Sequence, residues 1–128
     1  MKFLYRASLI ISLLVIVILA IYMYQYAVQS VFRISTEKAK QLIKNNQIDV
    51  VLDVRTDLER KNLGFYPGSV HIQSADLENR MVKEFPNKNV RILAYCNTGH
   101  RARMATDKLQ SLGYKNARYI SSTYTSLL

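Results

Sequence analysis

The sequence predicts an α/β protein: a mainly parallel sheet flanked by helices and preceded by one apolar helix. Three observations carry that reading. Segments of strand character alternate with segments of helical spacing from Phe32 onward, the order that builds a parallel sheet through crossover helices. Two runs, Ile48 to Val54 and Val90 to Tyr95, are dense in β-branched and apolar residues, as strands buried on both faces require. Ahead of both, Ala7 to Tyr24 carries no charge; at about 1.5 Å per residue it reaches about 27 Å, close to the hydrocarbon thickness of a bilayer.

The 128 residues suit one domain plus an appendage. The appendage is residues 1–28, with a membrane-spanning helix over about 7–26; the domain is residues 29–128. A cleaved signal peptide is the rival reading, since Lys2 and Arg6 form a basic start and Val28-Gln29-Ser30 a weak cleavage site. Two features favour the anchor. The apolar run exceeds a signal peptide's apolar region, and Tyr22, Tyr24 and Tyr26 suit the aromatic belt at a membrane surface. A single-pass membrane protein is therefore expected. Orientation is nearly balanced: Arg33, Lys38, Lys40 and Lys44 against Lys2 and Arg6 favour a cytosolic domain by a narrow margin. A periplasmic or extracellular domain is the alternative.

Within the domain, Phe32 to Ile34 reads as a first strand. Ser35 or Thr36 caps a helix in which Glu37 complements the N-terminal dipole and Ala39, Leu42 and Ile43 face inward, ended by Asn45-Asn46. Ile48 to Val54 is the second strand. Asp53 and Arg55 stand at its C-terminal end, where open α/β sheets place their sites; they read as a local salt bridge, with Glu59 or Asp57 as partner, ahead of a role in orienting the neighbouring loops. Asp57 to Asn62 forms a short helix or turn. Tyr66-Pro67-Gly68 turns the chain into a third strand, Ser69 to Ile72, whose His71 reads as structural. Leu77, Met81, Val82 and Phe85 recur at helical spacing before Pro86. The strand to Tyr95, a helix with Ala102, Ala105, Leu109 and Leu112 inward and Gly113 as its stop, and a last strand near Ala117 to Ile120 complete the chain.

The stretch that points to chemistry lies between that strand and that helix. Cys96, the only cysteine, opens the tight loop Cys96-Asn97-Thr98-Gly99-His100-Arg101. Backbone N–H groups of such a loop and the positive end of the following helix converge on an anion at its centre, and a thiolate is such an anion. Gly99 supplies the left-handed conformation the turn needs. Asn97 and Thr98 are read as amide donors, Arg101 as a full positive charge, His100 as either tuning donor binding or facing solvent, and Arg103 as a surface residue.

Tyr95-Cys96-Asn97-Thr98-Gly99-His100-Arg101-Ala102 resembles the active-site loop of rhodanese-like sulfurtransferases. Val51-Leu52-Asp53-Val54-Arg55 resembles the family's Asp-Val-Arg strand end. Leu63 to Ile72 resembles its Gly-His-Ile-Pro-Gly-Ala signature, with Phe65 where histidine is usual, and Leu112 to Ala117 resembles the segment after the active-site helix. Four segments in order, spanning roughly Ile34 to Ile120, make the resemblance specific. It implies five strands, a mainly structural Asp53 and Arg55, and transfer of a sulfane sulfur through a persulfide on Cys96. The substrates implied are a small anionic donor such as thiosulfate, held by the loop amides with Arg101, and a thiol or cyanide acceptor; no cofactor and no metal enter. Two departures stand out. Ala102 replaces a common serine or threonine. The family's Gly-Gly pair and final helix give way to Ser121-Ser122-Thr123-Tyr124, with at most one turn left, so a sheet face is expected to lack its cover.

Other functions are constrained by the same residues. One cysteine allows no intrachain disulfide, no CxxC zinc site and no resolving thiol. The net charge of +9, with 18 basic residues against 9 acidic ones, raises nucleic-acid binding. The basic residues are scattered and lack interleaved stacking aromatics, so an anionic small substrate or anionic lipid suits that field better. Phosphatases and arsenate reductases of the same fold use a longer Cys-x5-Arg loop to admit a tetrahedral oxyanion, whereas four residues separate Cys96 from Arg101. A catalytically silent binding module at a membrane is the remaining alternative. The oligomeric state is left open.

Overall fold

The computed structural model describes residues 1–128. Helix α1, Lys2–Val28, starts the chain. Its apolar window has a mean hydropathy of 2.6 and none of it is buried, so it is long and apolar enough to cross a membrane. Helix α2, Thr36–Lys44, starts at Ser35, whose side chain accepts from the Lys38 amide as an N-cap. Then follow β1 (Val50–Asp53), α3 (Asp57–Leu63), β2 (Val70–His71), a 3-10 turn (Ser74–Asp76) running into α4 (Leu77–Glu84), β3 (Ile92–Tyr95), α5 (His100–Ser111) and β4 (Ala117–Tyr119). A last 3-10 turn covers Tyr124–Leu127.

The strands are parallel and ordered β2-β1-β3-β4. Four strands replace the expected five. The expected first strand, Phe32 to Ile34, is only a bridge between Arg33 and Tyr119, flanked by hydrogen bonds of the Ile34 and Tyr119 amides. Arg33 stays exposed and bonds back to α1, donating from Nε to the Val28 carbonyl at 2.9 Å, and the chain bends at once into the Ser35 cap. Too few residues remain there to extend a ladder.

Alternation along β3 sorts the core. Ile92, Ala94 and, just past the strand, Cys96 pack with α4 and α5 residues such as Leu77, Met81, Ala102, Ala105 and Leu109. Leu93 and Tyr95 point to the other face, with Ala39, Ile120 and Leu127. The expected uncovered face is therefore covered: α2 and the C-terminal turn occupy it, with Leu127 buried.

Candidate functional site

All four residues of β3 are buried between β1 and β4, so the strand end is a rigid launching point for Cys96. Gly99 takes φ +96° and caps α5 at its N-terminus. A Cβ there would lie 2.7 Å from the Ser121 Cα and 2.8 Å from its Cβ, so both conformation and space call for glycine. The loop closes over Cys96 Sγ, which accepts from the Gly99 amide at 3.1 Å and the Ala102 amide at 3.3 Å. These are donors that the first turn of a helix leaves without intrahelical partners. Cys96 is 1% exposed. Its amide donors are thus Gly99 and Ala102, while Asn97 acts through its side chain and Thr98 stands exposed at the loop tip.

One flank of the loop is a network of charge. The Thr56 hydroxyl accepts from the Glu59 amide while Glu59 reaches back to the Thr56 amide, a capping box that fixes the first turn of α3. Glu59 then takes Arg101 bidentately, Nη1 to Oε2 at 2.7 Å and Nη2 to Oε1 at 2.8 Å, and accepts from Asn97 Nδ2 at 3.0 Å. The hydrogen bonds from Arg101 hold its carboxyl down to about 2, against the upward push of partial burial. Arg101 keeps its Nε–H and the remaining terminal N–H groups for another acceptor.

Behind this pair, Asp53 is fully buried. Burial pushes its pKa up, but hydrogen bonds and charge from Arg55, helped by the Tyr95 hydroxyl, outweigh that and hold it below the usual range. Arg55 gives Asp53 two side-chain bonds of 2.9 Å and reaches the Gly64 carbonyl at 2.6 Å. Arg60 adds an ion pair to Asp53 at 3.1 Å. The local salt bridge expected for Asp53 and Arg55 is therefore between those two residues, with Arg60; Glu59 is committed to the loop. Glu59 is the site residue that sequence reasoning missed. Its signal was Thr56-x-x-Glu59, a capping-box spacing that placed the carboxylate at a helix start without revealing its loop partner. His71 is structural as expected, its Nε2 lying 2.7 Å from the Arg55 carbonyl. A cavity of about 250 Å³ on this side is lined by Arg55, Leu63, Asn97, Thr123, Tyr124 and Thr125.

The opposite flank is the end of α1. Ala27 is 2% exposed and would sit 3.4 Å from a Cβ on Gly99, so the helix abuts the loop itself. His100 is half-buried on this flank, its ring 5.0 Å from that of Tyr26. Arg103, expected at the surface, clamps the helix end. It donates to the carbonyls of Tyr26 and Gln29, and its guanidinium lies 4.0 Å above the Tyr26 ring. Its Nε has no hydrogen-bond partner and is left in a 3.5 Å ion pair with Asp107. The Tyr119 hydroxyl donates to the Ala27 carbonyl at 2.6 Å. Arg103, Tyr119 and, on Val28, Arg33 thus meet the carbonyls that every helix C-terminus leaves free. A second cavity, about 280 Å³, is lined by Ala20, Met23, Tyr24, Ala27, Thr98 and His100.

A cysteine at a strand end, two amides on its sulfur and a Cys-x4-Arg loop now meet an independent finding: residues 35–126 match the model of the rhodanese-like domain. The chain belongs to the rhodanese-like family. Solved rhodanese-like structures share its fold. The human single-domain sulfurtransferase TSTD1 aligns with a TM-score of 0.65 at 23% identity, over 76% of this chain and 95% of that one. The single-domain sulfurtransferase RDL2 of Saccharomyces cerevisiae aligns at 0.56 and 20%, over 78% and 90%. A Rhodopseudomonas palustris protein of unknown function, described as a possible tyrosine phosphatase, aligns at 0.67 and 25%, over 82% and 85%. No curated protein matches the sequence.

Proposed function

We propose that this chain is a membrane-anchored sulfurtransferase, with residues 1–28 as anchor and 29–128 as the catalytic domain on the cytosolic side. The observation that carries the reading is the Cys96 sulfur held by the Gly99 and Ala102 amides, with no acid or base side chain bonded to it. Such a cradle suits chemistry in which negative charge stays on sulfur. In the first step the Cys96 thiolate attacks the outer sulfur of an anionic donor such as thiosulfate. A new S–S bond forms, the donor's S–S bond breaks, and sulfite leaves with the electron pair. Asn97, Thr98, Gly99, His100 and Arg101 form the ring around the donor, and Arg101 offers it the N–H groups that Glu59 leaves free. In the second step a thiol or cyanide takes the outer sulfur, and Cys96 departs as thiolate into the same amides.

The test is to incubate the full-length protein in detergent with thiosulfate and read intact mass. The expected result is an adduct of about 32 Da, lost on adding cyanide and never formed by Cys96→Ser. Release of phosphate from an aryl phosphate without sulfur uptake would instead establish a phosphatase. An inert but folded protein would establish a binding module. Protease access to the domain in sealed vesicles reads its side of the membrane.

A further inference from the structure

Sulfur transfer needs two substrates, and the loop has two flanks of opposite chemistry. On the polar flank Arg101 and Asn97 are held by Glu59 and Arg55 reaches Asn97, and the N–H groups that Glu59 leaves free on Arg101 suit an anionic donor. The other flank is apolar, and α1 builds most of it. Ala20, Met23 and Tyr24 form one wall of the cavity whose opposite wall is Thr98 and His100 of the loop. Ala20 and Met23 belong to the charge-free run, and Tyr24 to the tyrosines at its end. Met23 and Tyr24 are 48% and 69% exposed, so the wall continues without a break into the outward apolar surface of the helix. Aromatic residues at the end of a span sit at the headgroup level. The Arg103 clamp and the Tyr119 bond to Ala27 hold the loop at that level. A water-soluble thiol has no use for such a wall, whereas a lipid-borne one continues along it.

We infer that the sulfur acceptor is an amphiphilic thiol resident in the membrane surface, its chain lying along Ala20 and Met23 and its thiol entering past Thr98 and His100. The inference rests on the sulfurtransferase reading above. The acceptor thiolate attacks the outer sulfur of the Cys96 persulfide. An S–S bond forms on the acceptor, the Cys96 S–S bond breaks, and the electron pair returns to Cys96 Sγ. The proton released by the acceptor thiol is available to the new persulfide, and no oxidant or reductant is consumed.

The experiment uses full-length protein reconstituted in phosphatidylcholine vesicles containing a minor fraction of phosphatidylthioethanol, a lipid with a thiol headgroup. Cys96 is loaded with thiosulfate, and loss of the sulfur adduct is followed by intact mass with the lipid thiol or with cyanide. The readout is the ratio of the two rates, which cancels effects on folding and loading. Met23→Trp, which fills the cavity, is expected to lower that ratio about tenfold. Ile18→Trp, at an exposed position nearer the N-terminus of α1 and outside the cavity's lining, is expected to leave it unmoved. An unchanged ratio in Met23→Trp overturns the inference while leaving the transferase intact. Equal slowing by both reagents with loss of a cross-linked dimer assigns the cavity to a second copy and also overturns it. Failure to load sulfur at all overturns the transferase reading, and this one with it.

Discussion

The two flanks of the Cys96 loop are held by different physics. On one side Glu59 and Arg101 form two short charged hydrogen bonds, backed by the buried Asp53–Arg55 pair. On the other, Ala27 and Tyr26 pack against Gly99 and His100, with Arg103 and its partner Asp107 at the edge of the contact. The loop is shaped by its neighbours as well as by the Gly99 and Ala102 amides on Cys96 Sγ. Its four residues between cysteine and arginine make few bonds among themselves and take their geometry from α3 on one side and from α1 and Ser121 on the other. A helix that reads as a simple tether is thus part of the wall of the site.

The harshest way to break this arrangement is to strike where both flanks meet. Gly99→Ala forces a Cβ into the Ser121 backbone at φ +96°. It should cost about 2 kcal/mol of stability and abolish sulfur loading, measured by denaturant unfolding and by intact mass with thiosulfate.

Cutting only the charged flank should do less. Glu59→Ala frees Arg101 and Asn97 together, and sulfur loading is expected to slow about tenfold. The pair is partly solvated, so the stability cost should stay near 1 kcal/mol. Acid sharpens the same point. The carboxyl of Glu59 is lowered in the folded protein from 4.5 to about 2. It therefore contributes stability that is complete above about pH 4.5 and is lost as the pH falls toward 2. Unfolding free energy measured across that window should fall less steeply in Glu59→Gln than in the native protein.

Releasing the apolar flank should be the mildest change. Arg103→Ala removes the clamp on the Tyr26 and Gln29 carbonyls. The domain core should stay intact, with a cost of about 1 kcal/mol, while amide exchange at Gly99 and proteolysis near Val28 both accelerate. If exchange at Gly99 does not respond, α1 is a tether after all and the two flanks are not equivalent supports.

Much of this was legible in order along the chain. The run Val90 to Tyr95, the lone Cys96, Gly99 and the spacing of Ala102, Ala105 and Leu109 place the cysteine at a strand-to-helix turn, which is what the structure has. Reading failed where a signal was local but its partner was not. The Thr56-x-x-Glu59 spacing is a signal for a helix start only, whereas Glu59 spends its carboxylate on Arg101, 42 residues away. Arg103 lay on the polar side of its helix by spacing, yet it meets carbonyls 74 and 77 residues upstream. Phe32 to Ile34 had strand composition and found room for one bridge.

By itself, the sequence determined the α/β architecture, the apolar helix ahead of it and the chemical identity of the loop, because backbone periodicity and turn residues act over a few positions. Tertiary structure alone decided which amides hold the sulfur, which carboxylate holds Arg101, and that α1 ends against the active loop. Those outcomes depend on side chains brought together from distant elements, and no spacing within one segment records which surface a helix end or a guanidinium will meet.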